Sequence, residues 1–221
     1  MGYGKIVVSL SGSFFEHAEI IKRYAEIVRA LKNRAKILCL VTGGGKTARK
    51  YIALAKALGL SREIQDCAGI LATRIHAYLF ASLFGLRKIP FTCQTAVKYA
   101  IKKGCVVCGG IKPGQSTDKV AADLAAKINA DVLINLTKVD GVYDKDPAAK
   151  GARMFRELTY REFARILRGL EQAPGKYALF DVKALEVIER CRIPLVIANG
   201  TKPENLLKIA SGKRVGTLIR A

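Results

Sequence analysis

The chain lacks the features that mark membrane-spanning and secreted proteins. It contains no apolar stretch of roughly 18 residues, which is the length that a membrane-crossing helix needs. The short apolar run near its start has neither a basic segment before it nor a cleavage site after it. We therefore expect a soluble, cytoplasmic protein that does not associate with membranes.

Residues that commonly bind metals are also scarce. The chain has six cysteines, most of them in apolar segments, and its two histidines are His17 and His76. Cys105 and Cys108 form a C-x-x-C pair, but no second pair follows, so a zinc site would lack ligands. A chain of 221 residues does not need disulfides to compensate for a small core. We predict buried free thiols and no protein-bound metal.

Aromatic residues make up only 7% of the chain, whereas the net charge is +20. Such a charge attracts either nucleic acid or small phosphorylated molecules. Lysine and arginine are spread along the chain and are not interleaved with aromatic residues, as they are on base-stacking surfaces. We therefore expect no nucleic-acid partner, but a basic nucleic-acid-binding module stays as the alternative from a different functional class.

Short β-branched segments alternate with longer amphipathic ones, which is typical of an α/β fold. The predicted strands are KIVVSL (5–10), KILCLV (36–41), CVVC (105–108), DVLINL (131–136), PLVIA (194–198) and GTLI (216–219). Helices are predicted at about 17–31, 47–58 and 62–84, and the last is apolar enough to be buried or to lie at a subunit contact. The pattern predicts a mostly parallel sheet covered by helices on both faces. Without a linker or repeat, 1–221 is expected to be one domain with two lobes around a cleft.

Three glycine-bearing loops follow predicted strands: Ser11–Ser13, Gly43–Gly45, and Gly109–Gly110 with the PGQST segment at 113–117. The carboxyl ends of parallel strands form one crevice, so we expect these loops to converge. Glycine lets the backbone approach a phosphate, and a following helix N-terminus supplies N–H donors. A single loop of this kind is usually a simple turn, but three together favour phosphate binding.

Two common nucleotide-binding motifs are excluded. Gly45-Lys46-Thr47 resembles the end of a Walker A loop, but the first glycine of that motif would fall on Leu40. The same loop lacks the G-x-G-x-x-G spacing of a dinucleotide-binding turn. A polar segment, Asn135–Pro147, offers side chains for a nucleotide or a magnesium-bound phosphate, although taken alone it reads as a surface loop.

The segments VTGGGKTARKYI, PGQSTD-x-VAA and TKVDGVYDKDP together resemble the archaeal type of uridylate kinase in the amino acid kinase family. The resemblance runs nearly end to end. It includes Ser11–Phe15, Asp66, Gly69–Ile70, Arg74, Gly175–Tyr177, Asp181 and Gly216–Ile219. It implies a three-layer αβα sandwich that transfers the γ-phosphate of ATP to UMP in pyrimidine nucleotide biosynthesis. It also implies Mg²⁺ carried with ATP and a homohexamer built as a trimer of dimers.

The resemblance further implies the site residues, with an acceptor lobe at about 1–130 and an ATP lobe at about 131–221. The ATP-binding residues would be Ser9, Leu10, Ser11, Gly12, Ser13, Gly45, Arg49, Thr137, Tyr143 and Asp146. The UMP-binding residues would be Gly44, Asp66, Ile111, Lys112, Pro113, Gly114, Gln115, Ser116 and Thr117. Asp66 would read the ribose hydroxyls, and the PGQST segment would hold the UMP phosphate.

One departure from the family concerns the catalytic cation. Most of the wider family has a lysine near the end of the first strand, where this chain has Ser9, and often a second at the position of Ser13. The candidates to replace it are Lys46, Lys138 and Lys5. We predict Lys46 and Asp118 as the catalytic residues, with Asp118 orienting a lysine.

Other kinases of the same fold remain alternatives, because their ATP-binding halves would look similar. Their acceptors would be an amino acid, carbamate or an isoprenoid phosphate. PGQST together with Asp66 favours a nucleotide acceptor. An isopentenyl phosphate kinase would need a histidine near the acceptor phosphate, and His76 is interpreted as helix packing instead.

Overall fold

The computed structural model describes residues 2–171 and 179–221. Gly175–Tyr177, part of the family resemblance, lies outside these ranges. Within them the strands are β1 (Lys5–Leu10), β2 (Ile37–Thr42), β3 (Cys105–Cys108), β4 (Val132–Thr137), β5 (Glu157–Thr159), β6 (Leu195–Asn199) and β7 (Thr217–Arg220). The helices are α1 (Ala18–Lys32), α2 (Gly45–Ala57), α3 (Arg62–Ser82), α4 (Cys93–Lys103), α5 (Thr117–Ile128), α6 (Tyr160–Glu171), α7 (Val182–Arg190) and α8 (Glu204–Ala210). A short 3-10 helix spans Gly12–Glu16.

The strands form one sheet in the order β3-β2-β1-β4-β6-β7-β5. The first five are parallel to one another, and β7 runs antiparallel to β6. The predicted α/β fold with a mostly parallel sheet is confirmed. The second half of the sheet differs in detail from the prediction. It contains β5, a strand too short to be predicted from its sequence pattern, which pairs with β7 at the edge of the sheet.

Helices cover both faces of the sheet, as predicted. Successive side chains of a strand point to opposite faces, so Val7 packs with α4–α7 while Ile6 and Val8 pack with α1, α3 and α8. The central strands β1, β2 and β4 are buried almost throughout, which explains why they read as continuous apolar segments. None of the helices in the described ranges combines the length and apolarity that a membrane crossing requires.

The cysteines are all free thiols, as predicted, but they are not all buried. Cys105 and Cys108 lie on opposite faces of β3 and belong to different core clusters, so they do not form a joint site. Cys191 follows α7 and is exposed, contrary to the prediction of buried thiols, and Cys67 and Cys93 are only partly buried. Its neighbours in sequence, Arg190 and Arg192, are exposed as well.

Candidate functional site

A cavity of about 890 Å³ lies at the carboxyl ends of β1, β2 and β4. This is the edge of a parallel sheet where ligands usually bind. The predicted residues that line it are Ser9, Leu10, Ser11, Gly12, Ser13, Gly44, Gly45, Arg49, Thr117, Asp118, Thr137, Tyr143 and Asp146. The loops after β1, β2 and β4 therefore meet. The residues that were predicted to bind ATP all line this one cavity.

Gly12 allows the loop after β1 to lie directly against the loop after β2. A Cβ atom on Gly12 would stand 2.2 Å from the backbone nitrogen of Gly45 and 2.4 Å from the carbonyl oxygen of Gly43. Gly45 adopts a left-handed φ of 55°, which residues with a side chain rarely accept. The two backbones thus form one wall of the cavity with no side chain between them.

Helix α2 begins at this wall and supplies donors for an anion. It starts at Gly45, and the residue before it, Gly44, makes no side-chain capping hydrogen bond. The first N–H groups of a helix have no partner within the helix, and the helix dipole favours negative charge there. Arg49, one turn further along, also lines the cavity. This part of the cavity is suited to binding phosphate.

Lys46 lies on the first turn of α2, next to Gly45, but it is not among the residues that line the cavity, and its side chain is held elsewhere. Its ammonium is 2.7 Å from the Glu16 carboxylate, and 71% of its side chain is exposed. The hydrogen bond from Lys46 lowers the pKa of Glu16. Partial desolvation of the carboxylate opposes this shift, and the positive charges of Lys46 and Lys138 add to it. Lys138 itself lines the cavity. Lys5 donates to the carbonyl of Ile128 at the opposite end of the sheet, which removes it as a candidate.

Asp118 lies on the first turn of α5 and accepts a hydrogen bond of 2.8 Å from the Ser9 hydroxyl. Burial raises the pKa of Asp118 to about 6, the Ser9 hydrogen bond opposes that rise, and the charge of Asp181 adds to it. Among the described residues, no lysine or arginine forms an ion pair with Asp118. The expected lysine partner is therefore replaced by Ser9, the residue that stands in the lysine's place.

The polar segment after β4 is held by its own hydrogen bonds. The Thr137 hydroxyl accepts from the Val139 N–H at 3.1 Å, and an Asp146 carboxylate oxygen accepts from the Ala148 N–H at 2.9 Å. Tyr143 forms an isolated antiparallel bridge with Met154. These contacts fix Thr137, Tyr143 and Asp146 along the cavity wall.

The predicted acceptor residues occupy a different place. Only Gly44 and Thr117 of this group line the cavity, whereas Asp66 and residues 111–116 lie beyond its edge. Asp66 nevertheless contacts this segment, because its carboxylate accepts from the Gly114 N–H at 2.8 Å. Gln115 donates to Asp123 at 2.7 Å, and the Ser116 hydroxyl donates to Asp181. We call residues 111–116 the acceptor loop from here on.

The structure adds residues that the sequence did not single out. Ile166 on α6 and Leu179 before α7 form an apolar part of the cavity wall. The amphipathic pattern of α6 indicates a buried stripe, but it does not indicate what that stripe faces. Asp181, which the family resemblance includes, accepts from Ser116 and also caps α7 by accepting from the N–H groups of Lys183 and Ala184. In the described part of the chain, no group of three or more His, Cys, Asp or Glu residues is arranged to hold a metal ion.

Comparison with known proteins places this geometry in context. The model of the amino acid kinase family matches residues 4–199. The chain is 40% identical to a uridylate kinase from Methanobrevibacter smithii, covering 97% of this chain and 98% of that one. It is 39% identical to a uridylate kinase from Hyperthermus butylicus, covering 99% of each.

A solved structure is similar over the same length. The uridylate kinase from Archaeoglobus fulgidus superposes with a TM-score of 0.89 at 36% identity, covering 97% of this chain and 99% of that one. The shared fold thus extends over both the cavity and the acceptor loop.

Proposed function

The chain belongs to the amino acid kinase family, and we propose that it is a UMP kinase, a phosphotransferase that converts ATP and UMP to ADP and UDP. Relatives with the name uridylate kinase align with it nearly end to end. One observation carries the proposal: the N-terminus of α2, which Gly44 does not cap with a side chain, lines the cavity together with the loops that follow β1 and β4. Such a reaction contributes to pyrimidine nucleotide biosynthesis.

ATP occupies the cavity in this proposal. Its phosphates lie against the Gly12–Gly45 wall and the α2 N-terminus, where N–H donors and Arg49 neutralise negative charge. Its nucleoside lies along the β4 side, next to Thr137, Tyr143 and Asp146. The volume of about 890 Å³ is in the range of small-molecule sites.

UMP binds beside ATP, between α3 and α5. The acceptor loop and Thr117 hold its phosphate, and Asp66 holds its ribose while also accepting from Gly114. Gly44 and Gly45 then lie where the two phosphates meet, since both line the cavity together with Thr117 and Asp118. Phosphoryl transfer depends mainly on such placement and on charge neutralisation.

Lys46 supplies the catalytic cation once it leaves Glu16. A nucleotide with several negative charges competes with one carboxylate for the ammonium, and the exposed Lys46 side chain is paired with Glu16 alone among the described residues. Lys138 assists from the cavity wall. Asp118 and Ser9 form the floor beneath the reacting phosphates, where the hydrogen bond between them fixes the end of β1 relative to α5.

Magnesium is carried by ATP in this account. The cavity offers two carboxylates, Asp118 and Asp146, which fits an ion that binds through nucleotide phosphates and one or two carboxylates. When bound, the ion would neutralise charge that develops on the transferring phosphate.

Helix α3 supports an assembled form of the enzyme. Its apolar stripe, which the sequence predicted to be covered, is exposed in the single chain at Leu71, Ile75, Tyr78 and Leu79. Together with Phe91 these side chains form an apolar face, and exposed patches of this kind mark association surfaces. We propose that this face forms the dimers from which a hexamer is built.

We also propose that each chain consists of two lobes, at about 1–130 and about 131–221. The free thiols suit a reducing compartment, so we propose that the protein resides in the cytoplasm.

The direct test measures ADP formation from magnesium-ATP with UMP, CMP, dUMP, AMP and isopentenyl phosphate as separate acceptors. The proposal predicts turnover chiefly with UMP. Turnover confined to isopentenyl phosphate would favour another kinase of the same fold. ATP binding without turnover of any acceptor would contradict the proposal. Tight polynucleotide binding that weakens steeply with salt would favour the basic nucleic-acid-binding alternative.

A further inference from the structure

Arg74, on the fourth turn of α3, holds the start of the acceptor loop. Its Nε donates to the carbonyl of Gly110 at 3.1 Å, and its Nη2 donates to the carbonyl of Ile111 at 3.2 Å. Its guanidinium carbon lies 4.5 Å from the centre of the Phe91 ring. One side chain therefore joins α3, the acceptor loop and the segment before α4.

The contact depends on the shape of the arginine side chain. A guanidinium is a planar fork whose donors can reach two neighbouring carbonyls at once, whereas a lysine ammonium is a point charge. Thr73, the preceding residue, strengthens the same junction, because its hydroxyl accepts from the Gly110 N–H at 2.6 Å. The backbone at residues 110 and 111 is thus fixed to α3 immediately before it enters the acceptor loop.

Phe91 connects this junction to the apolar face. The ring is 57% exposed and lies in the same groove as Leu71, Ile75, Tyr78 and Leu79. A cation held over an aromatic ring is attracted to it, and the attraction strengthens when water is removed. Burial of the apolar face against a second copy of the chain would therefore hold Arg74 more firmly against the acceptor loop.

We propose that Arg74 is a positioning residue for the acceptor loop and that Phe91 holds it there from the apolar face. The inference rests on the proposed function, since it assigns the acceptor loop to UMP. It predicts that changes at Arg74 or Phe91 act on UMP binding and leave ATP binding unchanged, because neither residue lines the ATP cavity.

The test compares steady-state constants for Arg74→Met, Arg74→Lys, Phe91→Ala and Phe91→Tyr with those of the unaltered protein. Losing a charge-assisted hydrogen bond should raise the KM for UMP by about tenfold in Arg74→Met, with the KM for ATP within about twofold. Arg74→Lys should behave like Arg74→Met, because the charge alone does not make the fork. Phe91→Ala should raise the KM for UMP by about threefold, and Phe91→Tyr should restore it.

Arg87→Met is the matched control, because Arg87 lines the same groove but, within the described ranges, makes no hydrogen bond to the acceptor loop. It should leave both KM values unchanged. The proposal is wrong if Arg74→Lys retains the original KM for UMP, or if the KM values for UMP and ATP rise together in Arg74→Met.

Hydrogen exchange of the nucleotide-free protein separates this inference from the proposed function. Arg74→Met should speed amide exchange at 109–116 and leave 43–48 unchanged, whether or not the protein phosphorylates UMP. A protein that does not use UMP but shows this change would overturn the proposed function alone. Equal exchange at 109–116 in the two proteins would overturn the role of Arg74.

Discussion

The loops around the cavity and the acceptor loop are held in different ways. The loops after β1 and β2 touch through backbone atoms, with Gly43 donating to the carbonyl of Leu10 at 2.8 Å and Gly12 pressed against Gly45. The acceptor loop is held through the side chains of Asp66, Gln115 and Arg74. Backbone packing leaves little freedom, whereas side-chain contacts can be exchanged for contacts to a ligand. We infer that the ATP site is preformed and that the acceptor site adjusts when UMP binds.

The largest effect is expected where backbones touch. Gly12→Ala places a methyl group within 2.4 Å of two backbone atoms that cannot rotate away. We expect the free energy of unfolding to fall by about 2–4 kcal/mol and kcat/KM to fall by more than about 100-fold. Chemical unfolding and steady-state kinetics measure the two quantities.

Gly114→Ala is the matched substitution in the acceptor loop. Gly114 has a φ of 71°, but nothing lies within 4 Å of the added Cβ. The strain should cost about 1–2 kcal/mol, with the main kinetic change in the KM for UMP. If Gly114→Ala impairs ATP binding as severely as Gly12→Ala does, the two regions do not differ as described.

The next largest effect concerns Lys46, the proposed catalytic cation on the first turn of α2. Lys46→Met should lower kcat by about 100-fold, the usual cost of losing one group that stabilises transition-state charge. Glu16→Gln removes the carboxylate that holds Lys46 in the nucleotide-free chain. Because Lys46 itself remains, kcat should stay within about threefold of its original value. Lys50→Met, which removes another exposed charge from α2, serves as the control.

Rapid-quench measurement of the phosphoryl-transfer step checks this prediction. Normal transfer in Lys46→Met, together with failure in Lys138→Met, would assign the cation to the cavity wall instead.

A smaller effect is expected on the acceptor side. Asp66→Ala removes both the proposed ribose contact and the acceptor for the Gly114 N–H. We expect the KM for UMP to rise by about tenfold and the KM for ATP to change by less than about twofold. Fluorescence titration of each nucleotide separates the two affinities, and an equal loss of ATP affinity would count against separate binding regions.

The smallest effect is the pH dependence of stability that Asp118 contributes. Its pKa is about 6 in the folded chain, above the value of about 4 in an unfolded one, so the folded state binds the extra proton between these values. The free energy of unfolding should therefore fall by on the order of 1 kcal/mol as pH rises from about 4 to 6. This value is smaller than the pKa shift alone implies, because Asp118 borders the cavity and solvent screens its charge. Asp118→Asn should remove this fall.

Thermal unfolding at a series of pH values measures that slope. Asp140→Asn gives a control of opposite sign, because the hydrogen bond from Asn199 lowers the pKa of Asp140 and its contribution is lost as pH falls. An unchanged slope in Asp118→Asn would mean that Asp118 titrates at its ordinary pKa.

The sequence predicts the central strands and their convergence, because β1, β2 and β4 are continuous buried segments and parallel strands end at one edge. It does not predict contacts between distant side chains. The pairs Lys46–Glu16, Ser9–Asp118 and Arg74–Phe91 each depend on how separate elements pack. The exposed stripe of α3 shows the same limit, since apolar periodicity indicates a surface to be covered and does not reveal which chain covers it.

ATP and UMP are proposed to meet in one cleft, with their phosphates next to each other at Gly44 and Gly45. A single molecule carrying adenosine and uridine at the two ends of a pentaphosphate spans both proposed regions, and calorimetry measures its binding directly. We expect one molecule to bind per chain, at least about 100-fold more tightly than UMP alone, and either nucleotide to displace it. Displacement by ATP but not by UMP would contradict the shared cleft.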